Sequence, residues 1–528
     1  MATWIKNWNP EDNQFWESEG KQIAWRTLWI TTITLILSFA TWFMMSAIVV
    51  KLPGIGFKFT QDQLFWLAAM PGLAGGTLRI IHTFLIPIYG TRHTITISTL
   101  IKLIPCLGIG FAVMDLNTPY WVFMVLALSA GFGGGDFSSY MPSTNLFFPK
   151  KLKGTALGIQ AGIGNFGVSL TQFMTPVIIG IALAGAPQVF TSVNPKEVGP
   201  AFKDLDKARQ TEMFVSLESS VQDKIIANVD PNIKDSLSTL VNINNKGEFF
   251  AGLPGPAKAK AIGKLHPKIG AAVLEKFEVK GAKVQNIFLQ SAAFWYVPLI
   301  ILMTILCWIM LKSVPVKASF KEQLDIFKNK HTWYCTITYM MTFGTFAGLS
   351  AAFPMMMKAL YGNFPDAPDP LKYAFYGPLI GSASRVLFGF VSDKTGGAIL
   401  TTITGLGLII GTVMLITMGL VAPTSMEQFP MFVAVMLGMF FFTGIGNAST
   451  FRQFPIIFGH NPRQAAGVIG WTAAMAAYGP FLFSSIIGAV IGATTNANGF
   501  FWGLLVFLFI ATWINWKFYN KKGCECPC

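Results

Sequence analysis

Apolar runs long enough to cross a bilayer recur along this chain from residue 27 to residue 518. The hydrocarbon core is about 30 Å thick and a helix rises about 1.5 Å per residue, so crossing takes about 20 apolar residues. Twelve runs meet that length: 27–50, 63–88, 94–114, 119–141, 154–184, 290–311, 332–357, 370–391, 398–420, 430–452, 465–490 and 499–518. Backbone in lipid must satisfy its own hydrogen bonds, so such runs are helices. The expected fold class is therefore all-α, a polytopic membrane protein of twelve transmembrane helices. Only 12% of the residues are charged, against about a quarter in a soluble chain. A soluble enzyme, a disordered chain and a disulfide scaffold are excluded.

The charges that remain are unevenly placed. The net charge of +14 suits nucleic acid in principle, but cytoplasmic loops of membrane proteins give the same balance. No zinc-type spacing or RNA-binding signature accompanies it, so no nucleic-acid partner is expected. Short loops on the side of the two termini hold Arg92, Lys150, Lys151, Lys153, Lys312, Lys317, Lys321, Lys328, Lys330, Lys394 and Arg463; the opposite ones hold Lys51, Lys58, Lys358 and Lys372. The positive-inside rule then puts both termini in the cytoplasm.

Residues 1–26 are polar, carry Trp4, Trp8 and Trp16, and read as a cytoplasmic interfacial leader rather than a cleaved signal. Residues 27–184 hold spans 1–5, 290–311 span 6, 312–331 a cytoplasmic linker, 332–518 spans 7–12, and 519–528 a cytoplasmic tail. Residues 185–289 interrupt the apolar pattern, with 14 basic and 11 acidic residues over 187–286. Long loops translocate whatever their charge, so this insert is expected outside the cytoplasm as a small helical cap whose partner is unknown. Cys106, Cys307 and Cys335 lie in apolar runs and read as core. Cys524, Cys526 and Cys528 read as a loose tail of reduced thiols, with metal binding or lipidation as alternatives.

An internal repeat organises the spans. In span 2, Arg79 stands four residues after Gly75 and eleven before Gly90; in span 8, Arg385 stands likewise between Gly381 and Gly396. Gly158 and Gly167 in span 5 are nine apart, as are Gly470 and Gly479 in span 11. Gly133, Gly135 and Asp136 in span 4 match Gly444, Gly446 and Asn447 in span 10. Every match is offset by six spans, which predicts two pseudo-symmetric six-helix halves, the major facilitator architecture, with substrate at the midplane between them. The SDKTGG stretch at 392–397 resembles the short-loop motif of that superfamily.

Charge inside a bilayer marks function by default. Arg79 and Arg385 lie about 16 Å deep at a helical rise, and Asp136 about 21 Å. That is too deep for an arginine to snorkel out. Two arginines and one acid leave surplus positive charge, and the planar, permanently charged guanidinium fork suits a small planar anion. Asp136 has three open roles: counter-ion, proton carrier or helix-packing residue. Lys102 either snorkels or lines the pathway, and His82 neighbours Arg79. The glycine-rich stretch GTALGIQAGIGNFG supplies Gly158, Gly162, Gly164 and Gly167, which with Gly470 and Gly479 suit close helix packing. Asn165 lies at the depth of the arginines, as do the aromatics Phe137, Tyr339 and Phe343.

The stretch GFGGGDFSSYMPSTNLFFPKKLKGTALGIQAGIGNFGVS, residues 131–169, resembles the signature region of the nitrate/nitrite porter family, the NarK type of the major facilitator superfamily. LPGIGFKFTQDQLFWLAAMPGLAGGTLRI, YMMTFGTFAGLSAAF and YAFYGPLIGSASR resemble that family too, and WNPEDNQFWESEGKQIAWR resembles the leader of one of its branches. The likeness covers nearly all of the chain outside the insert. It implies alternating-access transport of nitrate and nitrite across a bacterial-type inner membrane, without metal or cofactor. It also implies substrate-binding roles for Arg79, Arg385, Phe137, Asn165, Tyr339 and Phe343. Asp136 stands where the family often has Asn, and the insert is long. Nitrate/nitrite antiport is the leading expectation, proton-coupled nitrate symport through Asp136 the alternative, and a membrane sensor with the insert as receptor the remote one. No metal cluster, nucleophile–base pair or phosphate loop suggests an enzyme. Oligomeric state stays open, a monomer included.

Overall fold

The computed structural model describes residues 4–192, 195–202, 205–265, 267–279, 283–314, 321–362, 364, 367–459 and 461–528. Residues 315–320 of the expected linker lie outside that set, as do short stretches of the insert.

Among the described residues, eleven helices have the length and hydropathy of a membrane span. They are Asn13–Ile48, Gln61–Thr83, Ile88–Ala112, Tyr120–Phe147, Ser291–Met310, Lys330–Tyr361, Leu371–Thr395, Gly397–Thr417, Met426–Ile457, Gly467–Thr494 and Asn498–Asn520. The twelfth expected span is the 29-residue helix Lys150–Ile178. Gln160, Asn165, Gln172 and its glycines dilute its hydropathy, so an apolar window does not select it. Numbered in chain order, this helix is span 5. Ile33, Ile97, Trp121, Ile305, Leu387, Phe390, Ile410 and Phe509 are exposed large apolar side chains on the spans. In water such a belt would be a liability, but against lipid it is the solvent-facing surface.

The repeat has physical content at its glycines. A Cβ on Gly75 would meet Trp42 Nε1 at 2.8 Å, and one on Gly381 would meet Phe346 at 2.7 Å. Each half thus seats an aromatic from its first span against the glycine that precedes its arginine. Gly90 has φ 74° and Gly396 φ 92°, conformations that a side chain resists, and each makes the tight link into the next span.

The first helix begins at Asn13, inside the expected leader, and a π-helical turn at Trp16–Gly20 runs directly into span 1. Trp8 Nε1 donates to the Leu146 carbonyl at 3.0 Å, and Trp16 and Trp25 pack on Phe148. At the other end, the tail departs from the expected loose segment. Cys526 N donates to Phe518 O, Ala398 N donates to Cys528 O, and Glu525 pairs with Lys330 at 2.7 Å. Backbone bonds and one ion pair therefore fold the tail onto spans 7, 9 and 12. Among the described residues no three His, Cys, Asp or Glu side chains gather as a metal site.

The insert departs from a purely helical cap. Strand Gln188–Ser192 pairs antiparallel with strand Lys283–Ile287 and ties its two ends together. Between them, among the described residues, lie seven short α-helices around a core of their own that includes Phe202, Phe214, Phe249, Phe250 and Phe277. The sheet places Phe190 against Gly54, beneath the Lys51 ammonium at 5.2 Å.

Candidate functional site

Spans 2 and 8 carry the two arginines into the interior, where Arg79 is 0% and Arg385 4% exposed. A cation at this depth costs about 2.5–3.5 kcal/mol on insertion scales, so it needs partners. Arg79 has two. Its Nε donates to the Gly134 carbonyl at 2.8 Å, and its Nη1 reaches across to the Ala473 carbonyl of the other half at 2.7 Å. Among the described residues its Nη2 has no hydrogen-bond partner of good geometry, nor have Nη1 and Nη2 of Arg385, which lies beside the Tyr339 hydroxyl.

Aromatic faces line these charges. The Arg79 guanidinium carbon stands 4.8 Å from the Phe137 centroid, 5.2 Å from Phe343 and 5.2 Å from Trp42; that of Arg385 stands 4.9 Å from Phe451. Phe137 is near parallel to Phe343 (6.4 Å, 24°) and to Phe451 (6.3 Å, 13°). Tyr339 stacks on Phe343 at 5.5 Å and on Phe451 at 5.2 Å. Its buried hydroxyl lies within electrostatic reach of both arginines. Five of the six candidate residues, Arg79, Arg385, Phe137, Tyr339 and Phe343, are thus gathered at one place between the halves. The sixth, Asn165, is fully buried with both side-chain polar atoms unpartnered. It lies one turn from Gly162, whose Cβ position meets Val386 beside Arg385.

Sequence reasoning did not find Phe451 or Trp42. The Gly-x-Gly repeat register puts Ala448 opposite Phe137, whereas the ring that does the matching job is Phe451, about one turn later. Trp42 was hidden among the aromatics of span 1. Its indole donates to the Pro71 carbonyl at 2.8 Å and so is held beneath Arg79.

Asp136 does not pair with an arginine. Lys102 Nζ stands 2.5 Å from it, with both side chains fully buried, so Lys102 is not a snorkelling residue. His82 bonds to Ser139 at 2.8 Å rather than reaching the rings.

The packing glycines divide. A Cβ on Gly167 would lie 2.1 Å from the Ile36 carbonyl, and one on Gly479 2.2 Å from the Gly344 carbonyl. These are backbone contacts within each half, span 5 on span 1 and span 11 on span 7. Gly164 sits on Leu35 and Gly470 lightly on Thr83. Gly158, expected to pack, meets nothing within 4 Å, and neither does Gly389. Both stand about one turn beyond the Gly162–Val386 contact of spans 5 and 8, toward the face that bears the termini, and Gly158 is exposed.

Toward the insert, the halves are joined. Lys51 pairs with Asp369 at 2.6 Å, Gln172 donates to the Ser350 carbonyl at 2.9 Å, Ser169 donates to the Phe375 carbonyl at 2.9 Å, and Lys358 donates to the Val50 carbonyl. A buried cationic slot with flat apolar walls, closed on one side, is a carrier geometry.

Comparisons with known proteins agree. No family model matches the chain. It is 48% identical over 531 residues to the probable nitrate/nitrite antiporter NarK2 of Thermus thermophilus, covering 100% of this chain and 99% of that one. It is 31% identical over 539 residues to the nitrate/nitrite transporter NarU of Escherichia coli K12, covering 98% and 96%. Among solved structures, a bacterial homologue of the human lysosomal transporter Spinster, inward-facing, matches with TM-score 0.53 at 15% identity over 94% of this chain and 96% of that one. The xylose transporter XylE of E. coli, in a partially occluded inward-open conformation, matches with TM-score 0.51 at 14% identity over 94% and 98%. The major facilitator superfamily transporter FucP matches with TM-score 0.50 at 11% identity over 92% and 97%. The chain is a multi-pass membrane transporter with the major facilitator fold, and it belongs to the NarK-type nitrate/nitrite transporter family.

Proposed function

We propose that this protein exchanges nitrate for nitrite by alternating access, with Arg79 and Arg385 holding one planar monoanion between the two halves. The observation that carries this reading is the set of buried donors that lack an acceptor among the described residues: Arg79 Nη2, Arg385 Nη1 and Nη2, and Asn165 Nδ2. Buried donors left unpaired are costly, and an oxyanion accepts from all of them. A flat ion takes in-plane donors at its oxygens and flat walls on its faces. Contact on both faces needs ring planes about 7 Å apart, so the Phe137–Phe451 pair, with centroids 6.3 Å apart, has to part by at least about 1 Å.

Exchange is favoured over proton symport because Asp136 already has a cation partner, while the two arginines have no carboxylate partner. An empty site leaves two uncompensated cations, which penalises the conformational change; a bound anion relieves that penalty. The names of two relatives matched over nearly their whole length, one a probable antiporter, support the same substrates and mode. Both termini, the linker over 312–331 and the folded tail lie on the cytoplasmic side of an inner membrane in this reading, supported by the loop lysines and arginines. The insert then stands outside. In purified proteoliposomes, Arg79→Lys and Arg385→Lys should each reduce nitrate uptake by at least about a hundredfold, the loss expected for a bidentate charged contact of about 3 kcal/mol. Uptake within threefold of wild type in either variant would sink the two-arginine site.

A further inference from the structure

Lys102 and Asp136 form an ion pair that anion binding does not itself use. Lys102 Nζ stands 2.5 Å from Asp136 Oδ2, and Ser38 Oγ donates to the same oxygen at 2.7 Å. Both residues lie inside their spans in right-handed helical conformation, Lys102 within Ile88–Ala112 and Asp136 within Tyr120–Phe147. The Asp136 turn builds one wall of the anion site. Two residues before it, the Gly134 carbonyl holds Arg79 Nε; one residue after it, the Phe137 ring lies under the same guanidinium. The other titratable groups in electrostatic reach of Asp136 are Arg79 and His82 of span 2, Tyr140 of its own span and Cys307 of span 6.

Packing alone does not require these charges. Leu408 stands twelve residues past Gly396, as Lys102 stands twelve past Gly90, and Asn447 follows its Gly-x-Gly as Asp136 does. Leu408 and Asn447 are both fully buried. The second half therefore fills the corresponding positions with an aliphatic side chain and a neutral amide.

We propose that Lys102 is a positioning residue for the anion site, and that Asp136 is its fixed counter-ion rather than a proton carrier. Without the Lys102 ammonium, the cation left beside Asp136 is Arg79. The carboxylate would then compete with substrate for Arg79 Nη2, the donor that has no partner. Lys102 keeps that arginine available to the anion and holds the Gly134–Phe137 turn in place. The inference rests on the exchange reading above.

Counterflow of nitrate against internal nitrite, with the full chain in proteoliposomes, tests it. Lys102→Leu alone should raise the half-saturating nitrate concentration at least about tenfold, and Lys102→Leu combined with Asp136→Asn should return it to within about threefold of wild type. An internal pH dye should report no proton movement with wild-type exchange. A double variant that is monodisperse and melts normally yet has lost exchange would overturn the proposal. So would proton movement coupled to wild-type exchange, a readout that does not depend on any variant folding. A wild type with no nitrate–nitrite exchange at all fails the underlying reading instead.

Discussion

Phe137 and Phe451, from opposite halves of the molecule, face each other at 6.3 Å with their planes 13° apart. Each carries a guanidinium on its ring, Arg79 at 4.8 Å and Arg385 at 4.9 Å. The candidate site is thus two ring-and-arginine units, one from each half, meeting across the interface that alternating access must open and close.

Phe451 is the wall that the sequence repeat misplaces, and its removal is a direct check on the slot. Phe451→Ala should raise the half-saturating nitrate concentration about tenfold, equal to about 1.4 kcal/mol, within the range for one aromatic face. Maximal uptake should change much less, because the arginines remain. Concentration-dependent uptake measures both, and an unchanged half-saturation would remove Phe451 from the site.

The glycines make opposite forecasts. Gly167→Ala would place a methyl 2.1 Å from the Ile36 carbonyl, so span 5 has to move off span 1. Overpacking of this kind costs about 1–3 kcal/mol, and the melting midpoint should fall. Gly158→Ala meets open space and should melt as wild type does. Gly158→Leu should also fold but lose transport, since spans 5 and 8 have to close there in the other half of the cycle. Normal transport by Gly158→Leu would show that this closure does not occur.

Lys258 gives the insert a pH signature. The residue is 3% exposed, and its ammonium donates to Gln210 Oε1 at 2.6 Å and lies 5.5 Å from the Phe250 ring. Burial, with Lys207 adding to it, pushes its pKa from 10.5 down to about 8. Below about 8 both folded and unfolded forms hold the proton and this group contributes no slope. Between about 8 and 10.5 the unfolded form holds more protons, so stability rises with pH. Hydrogen exchange over residues 246–263 should slow in wild type relative to Lys258→Met as pH rises through that window. Parallel behaviour of the two proteins would contradict it.

Depth was the legible part of the site. Arg79 and Arg385 could be placed at mid-bilayer because a helix has a fixed rise and because Gly90 and Gly396 mark where each span ends. Their positive φ values show why glycine stands there. Partnership was not legible. Lys102 and Asp136 lie on different spans, and only the packed arrangement brings them to 2.5 Å. Phe451 was lost because a repeat register taken from small residues does not carry the rotation of the helix face that follows. The tail looked unstructured because many of its anchors are backbone bonds to Phe518, Tyr519 and Ala398, which leave no side-chain pattern, and its Glu525 pairs with Lys330 nearly two hundred residues away. The hairpin closing the insert was missed for a related reason. Its strands are five residues each, separated by about ninety, and neither alternates strongly enough to stand out from loop.

The central claim is obligatory exchange of one planar anion for another on two arginines. Nitrate uptake into proteoliposomes at equal pH on both sides, with and without internal nitrite, tests it most directly. Uptake that requires internal nitrite, and that an imposed pH gradient leaves unchanged, is the expected result. Uptake into nitrite-free vesicles that accelerates with an inward proton gradient would contradict it.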